Sequence, residues 1–207
     1  MEATKSRGRP RDAEKRARIL AAARRLFREH GVEGVAIERI AAEAGVSKVT
    51  VYNRFGDKEA LFEACVSEVA EQMEDGLAEL SMPAAPLEAA LERFGTIFLS
   101  LLLSDELQRF EPAIAMEARR NPEIAKRFYR AGPGRVHAAL SKALAGRAAR
   151  GELRLDDPDL AAEQLVGLWQ GMVPSHRRLG IGTAPDETEI ARRVRAGMAL
   201  FLDGARG

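Results

Sequence analysis

The sequence predicts an all-α fold of about nine helices, and three observations support that prediction. Apolar residues recur at spacings of three and four along most of the chain, whereas alternation with period two is nearly absent. Glycine, proline, serine and aspartate, which begin or end helices, stand between the periodic stretches. The chain has 207 residues, of which 46% are hydrophobic, and this is enough to bury one or two cores without disulfides or metal.

The N-terminal part contains three predicted helices, which are followed by a long fourth one. Their ranges are 12–30, 37–44, 48–54 and 58–80. Gly31 ends the first helix, and Gly45 ends the second. Ser47 is placed to cap the third helix. The fourth helix carries a continuous apolar stripe that includes Cys65, so this thiol is interpreted as a small core residue rather than a redox switch.

The remainder of the chain is also predicted to be helical. The ranges are 87–103, 105–118, 122–131, 135–150, 158–178 and 187–203. A capping residue followed by proline, as at Asp157-Pro158, marks helix starts in this part. Pro174 is expected to kink the helix 158–178 or to end its regular part. Asp186 and Glu189 have the spacing of a capping box.

The composition narrows the class of protein. One cysteine and three histidines argue against a disulfide framework and against a metal site, and no cofactor is expected. The apolar stretches are too short to span a bilayer, and the basic N-terminus lacks the apolar run of a signal peptide, so a cytoplasmic location is expected. The motifs of nucleophilic, phosphate-binding and metal-dependent enzymes are absent, so we do not expect an enzyme.

The small net charge of +1 conceals an uneven distribution. Residues 1–60 contain 14 basic and 9 acidic residues, whereas residues 61–120 contain 4 and 12. A basic N-terminal part is typical of a protein that binds a polyanion, although a solvated charged surface would give the same count.

Two short helices joined by Gly45-Val46-Ser47 have the form of a helix-turn-helix. A tight turn needs small residues, and the two helices need apolar residues that lock them together. The candidates for this locking are Ile40, Val46, Val51 and Phe55. The second helix would then present polar side chains to a DNA major groove, namely Lys48, Thr50, Asn53 and Arg54, with Tyr52 beside them.

The run from Gly45 to Phe62, GVSKVTVYNRFGDKEALF, resembles the signature of the TetR family of transcriptional regulators. The residues that precede it fit as well, from Arg18-Ile19-Leu20 through Gly31 to Ile40-Ala41. This resemblance covers about residues 12–65. The C-terminal part resembles the AefR-like ligand domains of that family, through the segment 157–173 and the closing helix.

The resemblance implies a helix-turn-helix DNA-binding domain at 12–57 and a regulatory domain at 58–207, with the helix 58–80 as their connector. It implies a homodimer joined through 158–178 and 187–203. It also implies a repressor that a small molecule releases from a palindromic operator. An architectural DNA-binding protein without an effector is the alternative.

The family's DNA contacts can be transferred by position. Lys48, Val49 and Tyr52 correspond to residues that approach base edges. The residues that correspond to contacts with the DNA backbone are Thr50, Asn53, Arg54 and Lys58. Glu38 departs from the family pattern, which often has a basic or hydroxyl residue at this position. A carboxylate there would repel phosphate, although it can accept a hydrogen bond from cytosine N4.

The first residues, 1–11, are expected to form a flexible basic arm. The run Arg7-Gly8-Arg9-Pro10-Arg11 reads as the core of an AT-hook, in which Arg7, Arg9 and Arg11 would enter an A·T minor groove. Glycine and proline are expected to keep this arm extended. The alternative is an unstructured basic tail that attracts DNA nonspecifically.

A ligand pocket in the regulatory domain has only weak candidates. Aromatic and neighbouring residues at helical spacing could line it, namely Phe94, Phe98, Phe110, Phe128, Trp169, Met172 and His137. Aromatic side chains at that spacing are more often plain core, and a histidine there is more often a surface or capping residue.

Overall fold

The structure, a computed structural model, describes the backbone of residues 9–119 and 121–206, and all side chains in these ranges except those at 9–11, 109, 111–113 and 117. Within these ranges the chain forms twelve helices and no strand, which confirms the all-α prediction. The count is higher than the expected number of about nine, and two of the ten predicted helical ranges are each divided in two. No helix in the described ranges is both long and apolar enough to cross a membrane.

The helices follow one another with short connections. Their bounds are α1 Arg9–His30, α2 Ile37–Ala44, α3 Lys48–Phe55, α4 Lys58–Asp75, α5 Leu77–Ser81, α6 Leu87–Leu102, α7 Asp105–Ala118, α8 Pro122–Ala131, α9 Pro133–Ala149, α10 Pro158–Gln170, α11 Val173–Arg178 and α12 Glu187–Arg206.

The chain divides into two compact units. The first unit contains the described residues up to Ser67 together with those from 112 to 128, and the second contains 68–111 and the residues from 129 onward. The division therefore falls within α4 rather than before it. Helices α4, α7 and α8 each contribute residues to both units.

The first unit has its own apolar core, which holds α1, α2 and α3 together. Phe27 of α1 and Phe62 of α4 are fully buried and meet edge to face, with ring centroids 6.0 Å apart. The Cys65 thiol is buried and points to the carbonyl oxygen of Leu20, 3.8 Å away. This arrangement agrees with the interpretation of Cys65 as a core residue.

The core of the second unit is centred on Trp169 of α10, which is fully buried. Two glycines make room for its indole ring. A Cβ atom on Gly95 of α6 would lie 2.9 Å from ring atom Cζ2, and one on Gly197 of α12 would lie 2.8 Å from Cδ1. The indole nitrogen donates to the carbonyl oxygen of Val194 at 3.2 Å. Helices α6, α10 and α12 can therefore approach one another closely around one large side chain.

The predicted helix 58–80 is too long. Helix α4 ends at Asp75, and the separate short helix α5 follows it. At Gly76 the backbone N–H bonds to the carbonyl of Met73, three residues back, so the regular ladder is interrupted. The missing Cβ allows Ile97 and Phe94 of α6 to approach, since a Cβ there would lie 3.3 to 3.4 Å from their side chains. Packing against α6 therefore accompanies the break.

The helix predicted at 158–178 is also divided. Gly171, with φ 52° and ψ −135°, ends α10, and α11 begins at Val173. Pro174 lies in the first turn of α11, where the missing N–H costs no hydrogen bond. The proline thus begins a helix where it was expected to kink or end one.

Two further expectations need correction. Helix α1 begins at Arg9, so the last residues of the predicted extended arm are helical; Pro10 is tolerated in a first turn, and Asp12 there favours helix formation. Asp186 caps α12 by accepting from the N–H of Glu189 at 2.8 Å. The Glu189 side chain pairs with Arg192 and Arg193, so only half of the predicted capping box forms.

Candidate nucleic-acid interface

Helices α2 and α3 form the predicted helix-turn-helix. Gly45 adopts the left-handed conformation with φ 64°, and its N–H and that of Val46 bond to the last carbonyls of α2. Ser47 then caps α3 by accepting from the N–H of Thr50 at 3.1 Å. The turn thus satisfies the helix ends on both sides and sets the direction of α3, which we call the recognition helix.

The recognition helix has one buried and one exposed face. Val51 is 1% exposed and faces the core of the first unit, whereas Val49 is 64% exposed. The exposed side chains lie one and four residues apart and so form a continuous surface. This surface, the outer stripe, consists of Lys48, Val49, Tyr52 and Asn53. All four were predicted to contact DNA, and the structure brings them together.

Lys48 is the most constrained member of the outer stripe. Its Nζ lies 2.5 Å from Oε1 of Glu38 on α2 and 5.5 Å from the centre of the Tyr52 ring. The hydrogen bond from Lys48 lowers the pKa of the Glu38 carboxyl, and the same bond raises the pKa of the Lys48 ammonium group. Both groups are therefore charged at neutral pH, and a negative charge lies directly beside the outer stripe.

Thr50 is only partly exposed and lies outside the outer stripe. Its hydroxyl is 2.9 Å from that of Ser47, so the two side chains form a small hydrogen-bonded cap at the start of the recognition helix. The cap does not bury the hydroxyl completely, and a contact with the DNA backbone stays a prediction.

Arg54 does not extend freely into solvent. It is ion-paired with Asp12 of α1, and its side chain is 19% exposed. Its Nε is buried and, within the described residues, has no hydrogen-bond partner. The guanidinium therefore connects the recognition helix to α1 and would have to share or leave Asp12 to reach a phosphate.

Lys58 is similarly engaged. Its Nζ donates to the carbonyl oxygen of Glu33 at 3.2 Å and lies 3.6 Å from the Glu33 carboxylate. Asn121 contacts the same carboxylate at 3.5 Å. Asp57 accepts from the N–H of Ala60 at 2.6 Å and caps α4, so a carboxylate already occupies part of the helix N-terminus that was expected to favour phosphate.

The structure describes only the last residues of the predicted basic arm, 1–11. Arg7 lies outside the described residues. Arg9 and Arg11 belong to α1, and only their backbone is described. The helical backbone at these positions argues against an extended arm up to residue 11, so any extended minor-groove segment would be confined to the residues before Arg9.

Three of the five aromatic candidates for a ligand pocket lie together in the core of the second unit. Phe94, Phe98 and Trp169 are buried, and their ring centroids lie 5.5 to 6.3 Å apart. The one polar atom of this cluster, the indole nitrogen, already donates to a backbone carbonyl. The cluster is therefore closely packed core without a free polar group, and a role of these three residues in ligand binding stays a prediction.

The other pocket candidates are scattered. Phe110 is buried, Phe128 is half-buried and Met172 is 62% exposed. His137 lies 3.1 Å from the carbonyl oxygen of Asp159, so its ring connects α9 to the first turn of α10. A shallow groove of about 400 Å³ was not foreseen and lies on the first unit, between α1 and α2, lined by residues that include Arg18, Arg25 and Glu43.

Sequence reasoning missed the acidic partners Asp12 and Glu33, and it flagged Glu38 without finding its partner. No local pattern reveals these pairs, because each joins residues from different helices or loops. Within the part of the chain that the structure describes, no group of three or more His, Cys, Asp or Glu residues could hold a metal ion.

Comparison with known proteins agrees with this architecture. Residues 19–65 match the family model for bacterial regulatory proteins of the tetR family, and residues 89–204 match that for the C-terminal domain of AefR-like transcriptional repressors. The chain belongs to the TetR family. The first match covers the helix-turn-helix and most of its supporting core, and the second covers more than half of the chain.

Individual TetR-family proteins are similar over different extents. The HTH-type transcriptional repressor AcnR of Corynebacterium efficiens is 38% identical over 98 residues, which are 45% of this chain. The chain spans 50% of that relative's length. A TetR-family regulator from Mesorhizobium loti has a TM-score of 0.78 at 29% identity, covering 94% of this chain and 98% of that one. The flavonoid-responsive regulator FrrA has a TM-score of 0.73 at 32% identity, with 93% and 97% covered.

Proposed function

We propose that this chain is a homodimeric transcriptional repressor that binds a palindromic operator and is released from it by a small molecule. The observation that carries the proposal is the outer stripe, which presents two polar and two large apolar or aromatic side chains at the exposed face of a capped recognition helix. Such a face fits the major groove, where donors, acceptors and thymine methyl groups are read. A repressor of this kind acts in the cytoplasm.

Exposed apolar side chains support a homodimer. Large hydrophobic residues are exposed on α10, on α12 and on the segment between them, namely Leu160, Leu168, Met172, Leu179, Ile181 and Leu200. A second copy would cover such a surface through a symmetric contact of α10 and α12. Two recognition helices related by a two-fold axis then require half-sites about one helical turn apart, or a multiple of it.

A small-molecule effector is supported by family membership and by the name of FrrA, which responds to flavonoids. Because the buried aromatic cluster is closely packed in the structure, the proposal places the pocket elsewhere in the second unit. Helix α4 begins beside the recognition helix and contributes residues to both units, which makes it the natural route for coupling. Its 18 residues correspond to about 27 Å.

The experiment begins with DNA selected from a random pool by the wild-type protein. Anisotropy titrations then compare the selected duplex with a scrambled one, and sedimentation gives the number of chains per duplex. The proposal expects inverted half-sites, two chains per duplex and at least about 10³-fold tighter binding to the selected duplex. Equal affinity for both duplexes, or one chain on one half-site, would contradict it.

The effector is tested separately with a thermal-shift screen that starts from flavonoids. A ligand that causes release must bind more weakly when the operator is present, by the same factor by which it weakens DNA binding. Equal ligand affinities with and without operator would refute release. A protein that binds operator specifically and is stabilised by no small molecule would be the architectural protein without an effector.

A further inference from the structure

The pair formed by Glu38 and Lys48 is unusual for a surface that meets DNA. The two side chains belong to different helices, α2 and α3, yet their charged atoms are 2.5 Å apart. Both side chains are about half exposed, and Lys48 also lies against the Tyr52 ring of the outer stripe. The Glu38 carboxylate and the Lys48 ammonium group would therefore approach DNA as a pair.

A carboxylate at such a surface costs affinity if it faces phosphate. Its presence is favourable only where DNA offers a hydrogen-bond donor, and the major groove offers two, cytosine N4 and adenine N6. The ammonium group next to it needs an acceptor. The pair thus presents an ammonium group, which can donate to two acceptors, next to a carboxylate, which needs one donor. A base pair with two acceptors followed by a donor matches it best.

A G·C base pair supplies that pattern. Guanine N7 and O6 give two acceptors for an ammonium group, and cytosine N4 next to them gives the donor for a carboxylate. An A·T pair offers adenine N6 as a donor for Glu38 but only N7 as an acceptor next to it for Lys48, whereas a G·C pair offers two acceptors before its donor. On the reversed C·G pair the order of donor and acceptors is inverted.

We propose that Glu38 is a specificity-determining residue, which together with Lys48 reads one G·C base pair in each half-site. The inference rests on the proposed function, because it assigns a base pair to the same interface. Lys48 donates to guanine, Glu38 accepts from cytosine N4, and the contact between them fixes which strand carries the guanine. The Tyr52 ring supports the ammonium group from the side.

The test uses the full-length protein and its selected operator. Every position of one half-site is changed in turn to the other three base pairs, symmetrically in both half-sites, and the affinities are measured for wild type, Glu38→Ala, Glu38→Gln and Lys48→Ala. Glu43→Ala is the matched control, because Glu43 is an exposed acidic residue on the same helix that pairs with Arg25 instead.

Wild type is expected to prefer G·C at one position per half-site by roughly 10-fold or more. Glu38→Ala and Lys48→Ala should each lose most of that preference at that position alone, Glu38→Gln should lose part of it, and Glu43→Ala should retain it. A Glu38→Ala variant that keeps all base preferences, or that changes affinity equally for every duplex, would overturn the inference. If wild type selects no sequence at all, the proposed function fails as well.

Discussion

The guanidinium of Arg54, on the recognition helix, is ion-paired with the carboxylate of Asp12 in the first turns of α1. Arg54 is therefore held by a carboxylate in the structure, although its position predicts a contact with the DNA backbone. Because the pair is near the surface, its own contribution to stability is small. We expect its larger effect to be on DNA binding, since Asp12 would compete with phosphate for the same guanidinium.

Replacement of Asp12 by alanine should therefore tighten DNA binding. The freed Arg54 adds about one phosphate contact, so the slope of log affinity against log salt should become steeper by about 1 unit. Anisotropy titrations at several salt concentrations measure this. Glu14→Ala, which removes another exposed acidic residue from α1, is the control. An equal gain from Asp12→Ala in an Arg54→Ala background would show that only net charge changed.

Lys58 should act on every DNA sequence alike. In the complex we expect its ammonium group to share or leave the Glu33 carbonyl and to contact phosphate, and phosphate contacts carry no base information. Lys58→Ala should weaken binding to selected and scrambled duplexes by a similar factor and reduce the salt slope by about 1 unit. A loss confined to the selected duplex would instead place Lys58 at a base edge.

Close packing around Trp169 makes Gly95 sensitive to substitution. A Cβ atom there would lie 2.8 Å from the Val194 side chain and 2.9 Å from the indole ring. Gly95→Ala should therefore destabilise the protein by about 1–3 kcal/mol. In Gly146→Ala the new atom meets only the tip of Arg150 at 3.6 Å, so this helix-interior change should be neutral or stabilising. Urea unfolding of both variants measures the difference, and equal stabilities would contradict the packing account.

Arg147 and Glu152 give stability a defined dependence on pH. Arg147 is 1% exposed, and its guanidinium donates to the carbonyls of Leu80, Met82 and Ala85 as well as to Glu152 at 2.6 Å. Hydrogen bonds from Arg147 and then Arg150 lower the pKa of Glu152 below its ordinary value of 4.5.

Because the pKa of Glu152 is lower in the folded than in the unfolded chain, its ion pairs stabilise the protein fully above the ordinary pKa. This stabilisation is lost as the pH falls through the lowered pKa of the folded state. Wild type should therefore lose free energy of unfolding as the pH falls below the ordinary Glu pKa of 4.5 and through the lowered pKa of Glu152. Glu152→Gln should be less stable at pH 7 and should show a smaller loss over the same range. Urea unfolding at a series of pH values tests this, and parallel curves for the two proteins would refute the role of Glu152.

Local chemistry explains what could be predicted from the sequence. Ser47 and Asp157 cap the helices that they were expected to cap, because an N-cap depends only on the next three residues. The exposed face of the recognition helix also follows from helical periodicity alone, once Val51 is assigned to the core.

Tertiary packing explains what could not be predicted. The break at Gly76 accompanies the approach of Phe94 and Ile97 from another helix, which no local pattern encodes. Helical spacing favours core over pocket for Trp169, but the close approach of two glycines from neighbouring helices to its ring depends on tertiary packing. The pairing of Lys48 with Glu38 likewise depends on how two helices are oriented by the turn between them.

The central claim is that the outer stripe reads the DNA sequence. The most direct test compares the ratio of affinities for selected and scrambled duplexes between two proteins. These are wild type and the triple variant Val49→Ala, Tyr52→Ala, Asn53→Ala. These side chains are exposed, so the melting temperature should stay unchanged. The ratio should fall from about 10³ or more to about 10, the preference that Lys48 and Glu38 would retain, while nonspecific affinity and the salt slope persist. A triple variant that discriminates as well as wild type would contradict the assignment of the outer stripe as the reading surface.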